Sequence, residues 1–555
     1  MRAVCTVLIL LCSAACAPAK QTIDLVLRHA AVYTMNPAQP RAEALAVNRG
    51  RIVAVGTDAA ISAAYAGNET IDLQGQMVLP GFHDAHAHLA YDGVTLTQCN
   101  LVDAETVDAI VAQVRACNDA QTDDGWLVGA GWNLALFPQA NPNKGLLDAV
   151  STTRPIALTG ADGHSMWVNS KALALAGITR NTTNPPKGVI ERDANGEPSG
   201  TLRETAKDLV RAIVPPVSAE ARRDGLVKAL QMANGFGITS VVEAAAGPDE
   251  VAAYRALAAS GNLTARVVAS IAISNANDHA EADALIHPEE RGSDARFRTD
   301  SAKLFIDGVL EGETAALLQP YLDHPGFSGE LKFTPAELDA LVTELDRRGV
   351  QVHMHAIGDA AVREGLDAFA AARAANGSRD NRHHIAHLQM VDAADRPRFA
   401  ELGVIANFQS LWAFPDKYIT DVNIPQVGRA RVDQMYPIGS IVRAGGRVVG
   451  GSDWAVSSMN PLLAIQTAVT RSDPTGEIAG VLNASERVTV ADMLAAYTIN
   501  GAYLMHQERS TGSLEVGKFA DVIALSRDLY AIPSEEIGAV TVTRTILEGD
   551  TVFSK

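Results

Sequence analysis

Aromatic side chains make up only 5% of this 555-residue chain, and cysteine is rarer still. Of five cysteines, Cys5, Cys12 and Cys16 lie at the extreme N-terminus, so Cys99 and Cys117 are the only pair able to cross-link the body. Basic residues are outnumbered, 46 Lys and Arg against 64 Asp and Glu. The resulting net charge of −18 disfavours nucleic acid or an anionic membrane as a partner and reads as an acidic, soluble surface. Beyond the N-terminus no run is long and apolar enough to span a bilayer. Charged residues are only 20% of the chain against 47% hydrophobic, which excludes a disordered chain. The length suits a large barrel with an accessory unit.

The N-terminus, residues 1–20, reads as a secretory signal. Arg2 precedes an apolar run from Val4 to Cys12, and the small residues Ser13, Ala14 and Ala15 follow. Cys16 then resembles the lipidated cysteine of a bacterial lipoprotein box, although Ser13 stands where a larger aliphatic residue is usual. A lipid anchor at Cys16 and plain cleavage both remain open. Either route leads to the bacterial envelope, with the periplasm as the expected compartment. An oxidising compartment permits Cys99 and Cys117 to form a disulfide fastening the segment after the first barrel strand.

Short alternating segments fill residues 21–79: Ile23 to Leu27, Ala44 to Val47 and Arg51 to Val55 are strand-like. The same texture returns in 508–555, at Asp521 to Leu525 and Val540 to Thr543. Both chain ends are therefore expected to build one small β-sandwich domain. Residues 80–507 alternate strands with helical stretches, the pattern of an α/β protein with a (β/α)8 barrel. After an opening strand that runs from Met77-Val78-Leu79 into Pro80 to His88, candidate strands are Ile238 to Ala244, Arg266 to Ile273 and Ala302 to Ile306. The others are Val350 to Ala356, His384 to Leu388, Val404 to Phe408 and Arg447 to Asp453. Thr334 and Pro335 open a helix reaching Arg348. About 96–216 is too long for one connection and reads as an inserted subdomain.

The chemistry-bearing residues fall at the C-terminal ends of those strands, where barrel active sites are built. His86 and His88, two apart on a strand, share a face and make half a metal site. Lys303 stands among apolar residues, where an ammonium ion carries a large desolvation cost unless it is neutralised, paired or modified. The fifth strand ends in His353-Met354-His355, the sixth carries His384 and His387, and the eighth ends in Gly451-Ser452-Asp453. Any one of these residues alone is an ordinary core or capping residue; together they lie where a single cluster can form.

Pro80 to His88, Lys303 to Gly308, His355 to Asp359 and Gly451 to Trp454 resemble the amidohydrolase superfamily, family 3, the branch that includes N-substituted formamide deformylases. Gly131-Trp132, Asp162 to Ser165, Asn169 and Ala172-Leu173 fit the same branch, while Ala386 departs from it where many members carry glutamate. The resemblance implies His86, His88 and Asp453 on one divalent metal and His355 and His387 on a second. It implies Lys303, carboxylated by carbon dioxide, as the bridge. Zn²⁺ is the expected ion, with Mn²⁺, Fe²⁺ or Co²⁺ also suited to nitrogen and oxygen ligands. Asp453 would move the proton, and His164 would stabilise the oxyanion. His353 is expected to support the ligands from below or to pack in the core.

The implied function is metal-dependent hydrolysis of a C–N, amide-type bond other than a peptide bond, in a small substrate. A deaminase of a heterocycle is the runner-up, but Gly358 occupies the position where such enzymes carry a glutamate after the fifth-strand histidine. A catalytically silent envelope binding protein is the third reading. Trp132, Trp412 and Trp454 are expected to line a partly apolar substrate pocket, with Trp132 and Trp167 of the insertion at least as suited to anchoring it onto the barrel. Self-association is left open.

Overall fold

Eight parallel strands, each hydrogen-bonded to the next in chain order, form the centre of the molecule. They are β1 (Phe82–Ala87), β2 (Ile238–Ala246), β3 (Arg266–Ile273), β4 (Phe297–Phe305), β5 (Gln351–Ala356), β6 (His384–His387), β7 (Ile405–Phe408) and β8 (Val448–Gly450). The computed structural model describes residues 20–555 apart from 102–103, 123, 161–164, 187 and 278. The expected signal segment falls outside it but for Lys20. Among the described residues no helix is long and apolar enough to cross a membrane.

The seam between β8 and β1 is bridged by main-chain donors just beyond β8. The Ser452 N–H donates to the Asp84 carboxylate at 3.0 Å, and the Asp453 N–H to the His86 carbonyl at 2.7 Å. Gly451 permits this approach, because a Cβ there would lie 2.7 Å from that of His86. The result is the (β/α)8 barrel. Its strands are buried on both faces, which is why some of them, such as β3, read as nearly continuous apolar runs. Helices such as Pro335–Arg347 and Asp359–Asn376 cover the outside. Thr334 and Glu337 start the first of these with a reciprocal capping box.

Both chain ends meet in a β-sandwich. One sheet orders the strands Arg51–Gly56, Ala44–Asn48, Gln21–Arg28 and Tyr65–Asp72. The other joins Asp550–Ser554, Val542–Leu547 and Val522–Leu525 from the C-terminus to Met77–Pro80, Ala31–Tyr33 and Arg41–Ala42. Leu25, Leu45 and Val47 of the first sheet pack on Val32, Val78, Val522 and Ile546 of the second. Met77–Pro80 thus differs from its expected place in the opening barrel strand. It pairs antiparallel with Val522–Leu525, and the barrel strand starts afresh at Phe82. The hinge is Gly81, where a Cβ would collide with the Thr239 hydroxyl at 2.1 Å.

The insertion carries a six-stranded sheet of its own, from Cys99–Asn100 to Pro198–Glu204. The Cys99 and Cys117 sulfurs are bonded, tying its edge strand to the helix Val107–Ala120. Trp132 corrects an expectation. It is wholly buried in the insertion's core against Phe137 and Trp167, with its indole N–H donated to the Leu158 carbonyl at 3.0 Å. With no exposed surface it packs the insertion and lines no pocket.

Candidate metal centre

Strand ends β1, β4, β5 and β6 bring five ionisable side chains together around the Asp453 carboxylate in the turn after β8. Its Oδ1 lies 3.1 Å from His88 Nε2 and 3.3 Å from His86 Nε2, and its Oδ2 lies 4.0 Å from His387 Nδ1. One donor atom from each of His86, His387 and Asp453 lies within 4.8 Å of the others, and all three residues are buried. Lys303 Nζ is 3.4 Å from His86 Nε2. The His355 ring packs on that of His387 with centroids 4.4 Å apart, while its Nε2 meets the Gly308 carbonyl at 2.9 Å. His164 lies outside the described residues.

Burial decides the charges here. It pushes His86 and His355 down to about 3, with the Lys303 charge adding to the effect, and holds His387 well below the usual imidazole range. These rings are therefore neutral near pH 7 and can offer bare lone pairs. Burial alone would raise Asp453, but the histidine rings set against it, His86 first, outweigh burial and keep the group well below the carboxylate range. Burial likewise opposes the His88 imidazolium, yet its hydrogen bond to Asp453 and that carboxylate's charge raise its pKa. Lys303 is pushed down to about 7 by burial, against the pull of Asp453. An amine there is as accessible as an ammonium ion.

The donor set fits a divalent cation. Nitrogen and carboxylate ligands on one small centre suit Zn²⁺ and its neighbours. His387 Nδ1 is buried with no hydrogen-bond partner among the described residues, an unmet lone pair or proton in the middle of the cluster. His387 and Asp453 also sit at φ 78° and 53°, left-handed conformations that cost of order 1–3 kcal/mol each for a non-glycine residue and collect at functional sites.

Two aspartates beyond the expected site residues support the cluster. Asp84 takes the main-chain N–H groups of His86 and Ser452, each at 3.0 Å, and so closes the barrel directly under the ligands. Asp307 accepts from Ala316, Ile357 and Gly358 at 2.8–3.0 Å, fastening the loop after β4 to the turn that follows His355. Burial pushes its pKa up to about 7. Their place inside the two motifs was the only sequence signal.

Of the expected pocket aromatics, Trp412 stacks on the His387 ring, centroids 5.6 Å apart and planes 2° from parallel. Trp454 is 8% exposed and packs into the main core. More open apolar surface comes from Tyr91, after β1, and Val456, whose N–H donates to the Asp453 carbonyl. The two segments are joined by the Asp92 carboxylate, which accepts the Ala455 N–H at 3.3 Å.

Residues 69–553 match the family model described as the amidohydrolase family. The chain belongs to the amidohydrolase family. It is 30% identical to Protein LONG AFTER FAR-RED 3 of Arabidopsis thaliana, over 97% of this chain and 92% of that protein. Its identity to the N-substituted formamide deformylase of Arthrobacter pascens is 28%, over 95% and 98% of the two chains. Among solved structures, a metal-dependent hydrolase of Pyrococcus furiosus superposes with a TM-score of 0.73 at 26% identity, covering 91% of this chain and 99% of that one. The amidohydrolase resemblance carried by the barrel motifs is therefore correct, and the chain is a member of a metal-dependent hydrolase family.

Proposed function

We propose that this amidohydrolase cleaves a C–N, amide-type bond other than a peptide bond, in a small and partly apolar substrate. The observation that carries the reading is the Asp453 carboxylate, kept ionised and held between His86 and His88 at the heart of the cluster. His86, His88 and Asp453 would hold one divalent ion, and His355 and His387 a second, with Zn²⁺ the favoured metal. Lys303, as the free amine that burial favours, would add to carbon dioxide, forming an N–C bond and releasing a proton. The carbamate so formed is an anion suited to bridging two cations. Bound there, the metal would polarise a carbonyl oxygen and lower the pKa of water.

The residues do the rest. Asp453 takes a proton from the attacking water and passes it to the leaving nitrogen, which departs as an amine. Trp412, Tyr91 and Val456 offer apolar surface to the substrate's substituent. His164 is assigned to the developing oxyanion. A formamide bearing an N-substituent is a natural first substrate, given the activity named for the Arthrobacter relative. Deamination is disfavoured by Gly358: a side chain there would meet the Ala316 carbonyl at 2.0 Å, so the position cannot hold a glutamate. Secretion to the bacterial envelope belongs to the same proposal, supported by the Cys99–Cys117 bond.

The test is amine release from a panel of N-substituted formamides, longer amides, carbamates and N-acyl amino acids, with and without a chelator. Chelator-sensitive release of amine is the expected result. Ammonia from a heterocycle, or no turnover of any substrate by the metal-loaded protein, would contradict the reading.

A further inference from the structure

Below the cluster, the barrel interior carries polar side chains where bulky branched residues ordinarily fill it. His353 on β5 and His384 on β6 are fully buried, their rings edge-on with centroids 4.1 Å apart, and Ser270 on β3 and Ser301 on β4 are buried beside them. Four hydrogen bonds descend through this layer. They link His86 Nδ1 to His353 Nε2 at 3.0 Å, His353 Nδ1 to Ser270 Oγ at 3.1 Å, Ser270 Oγ to Ser301 Oγ at 3.0 Å, and Ser301 Oγ to the Gln351 carbonyl at 3.3 Å.

A histidine nitrogen does not declare whether it carries the proton, but the far end of this chain does. A carbonyl can only accept, so Ser301 donates its hydroxyl to Gln351 and accepts the hydroxyl of Ser270. Ser270 has then used its one proton and must accept from His353 Nδ1–H. A neutral imidazole has a single N–H, so His353 Nε2 is bare and accepts from His86 Nδ1–H. His86 Nε2 is left with its lone pair toward Asp453 Oδ1 and Lys303 Nζ. The 3.5 Å contact of Lys303 Nζ with His353 Nε2 is compatible with the same bare nitrogen.

We infer that His353 is a positioning residue: through Ser270 and Ser301 it fixes His86 in the Nδ1–H tautomer, presenting Nε2 as a ligand before any metal arrives. The inference rests on the metal-centre reading, but its first test reads the tautomer without any metal bound. Metal-bound histidines generally donate their second N–H to an acceptor, usually a carboxylate, a backbone carbonyl or water, and losing the acceptor typically costs about 10- to 100-fold in metal affinity.

Two measurements test it on the full chain. The first is long-range ¹H–¹⁵N correlation of histidine-labelled, metal-free protein, assigned with the His353→Gln and Ser270→Ala variants. Protonated Nδ1 on both His86 and His353 is expected. An Nε2–H tautomer at His86 overturns the proposal whether or not the protein binds metal, so its failure is distinct from failure of the metal centre. The second is zinc affinity by chelator competition. His353→Phe should bind about 10- to 100-fold more weakly, while His353→Gln, whose side-chain carbonyl can accept from His86, should recover most of that loss. Wild-type affinity in His353→Phe, or equal losses in both variants, would show that the ring only fills space. If His353→Phe does not fold, the Ser270→Ala spectrum decides: an unchanged His86 tautomer in that variant overturns the proposal.

Discussion

Two clusters of large buried rings, one in the insertion and one in the barrel, behave in opposite ways. In the insertion, Trp132, Phe137 and Trp167 meet edge-to-face with centroids 5.3–6.0 Å apart, and both indole N–H groups are paired, to the Leu158 and Asn143 carbonyls. In the barrel, six histidines crowd together, yet both nitrogens of His384 and Nδ1 of His387 find no partner among the described residues. An unmet buried polar group costs about 1–3 kcal/mol. The insertion cluster satisfies its own polarity and so contributes stability. The barrel cluster leaves polarity unmet among the described residues, and at His387 Nδ1 the unmet atom lies where a cation could meet it.

The contrast can be broken at either end. The largest effect is expected from Asp453→Asn, because an amide cannot take a proton near neutral pH. Its kcat on an amide substrate should fall by about 10²- to 10⁴-fold with the melting temperature little changed. Retention of most of the wild-type rate would move the proton shuttle elsewhere. Trp132→Ala should do the reverse, costing about 3–5 kcal/mol in denaturant unfolding while the folded protein keeps its kcat/KM. Lost kcat/KM at unchanged stability would return Trp132 to the substrate pocket and erase the contrast.

Replacing Cys99 and Cys117 together by serine opens a link across 18 residues. The expected cost is about 3 kcal/mol, read by unfolding with and without reductant, and turnover should be unaffected. Equal stability of the variant and the wild type under non-reducing conditions would show that the bond does not fasten the insertion. The smallest effect belongs to Trp412→Ala, which should narrow the preference for an arylalkyl amide over its N-methyl counterpart by roughly 1–3 kcal/mol. The same preference in both proteins would make Trp412 a packing residue like Trp132.

The strands were legible wherever apolar runs carried them: Arg266–Ile273 begins and ends where its pattern does. Strand β4 starts at Phe297, five residues before the apolar segment, because Arg298, Thr299, Asp300 and Ser301 are polar yet buried in the barrel's lower end. Hydrophobic patterning cannot see such residues. Met77–Pro80 was misplaced for a related reason, since a strand of the sandwich and a strand of the barrel look alike when only Gly81 separates them. At the site, motif residues came together because each stands at a strand end. Their supports did not announce themselves: His353 meets His86 across 267 positions, and Ser452 meets Asp84 across 368. An aromatic residue carries no address either, so Trp132 and Trp412 read alike in sequence and part company only in the fold.

The most direct test of a metal-holding cluster is the metal content of the protein itself. Purified chain, loaded with Zn²⁺ and passed through metal-free buffer, should retain at least one equivalent by elemental analysis. His387→Ala and Lys303→Ala, prepared in the same way and shown to be folded, should each retain less. A wild-type protein that keeps no metal, or variants that keep as much as the wild type, would contradict the account.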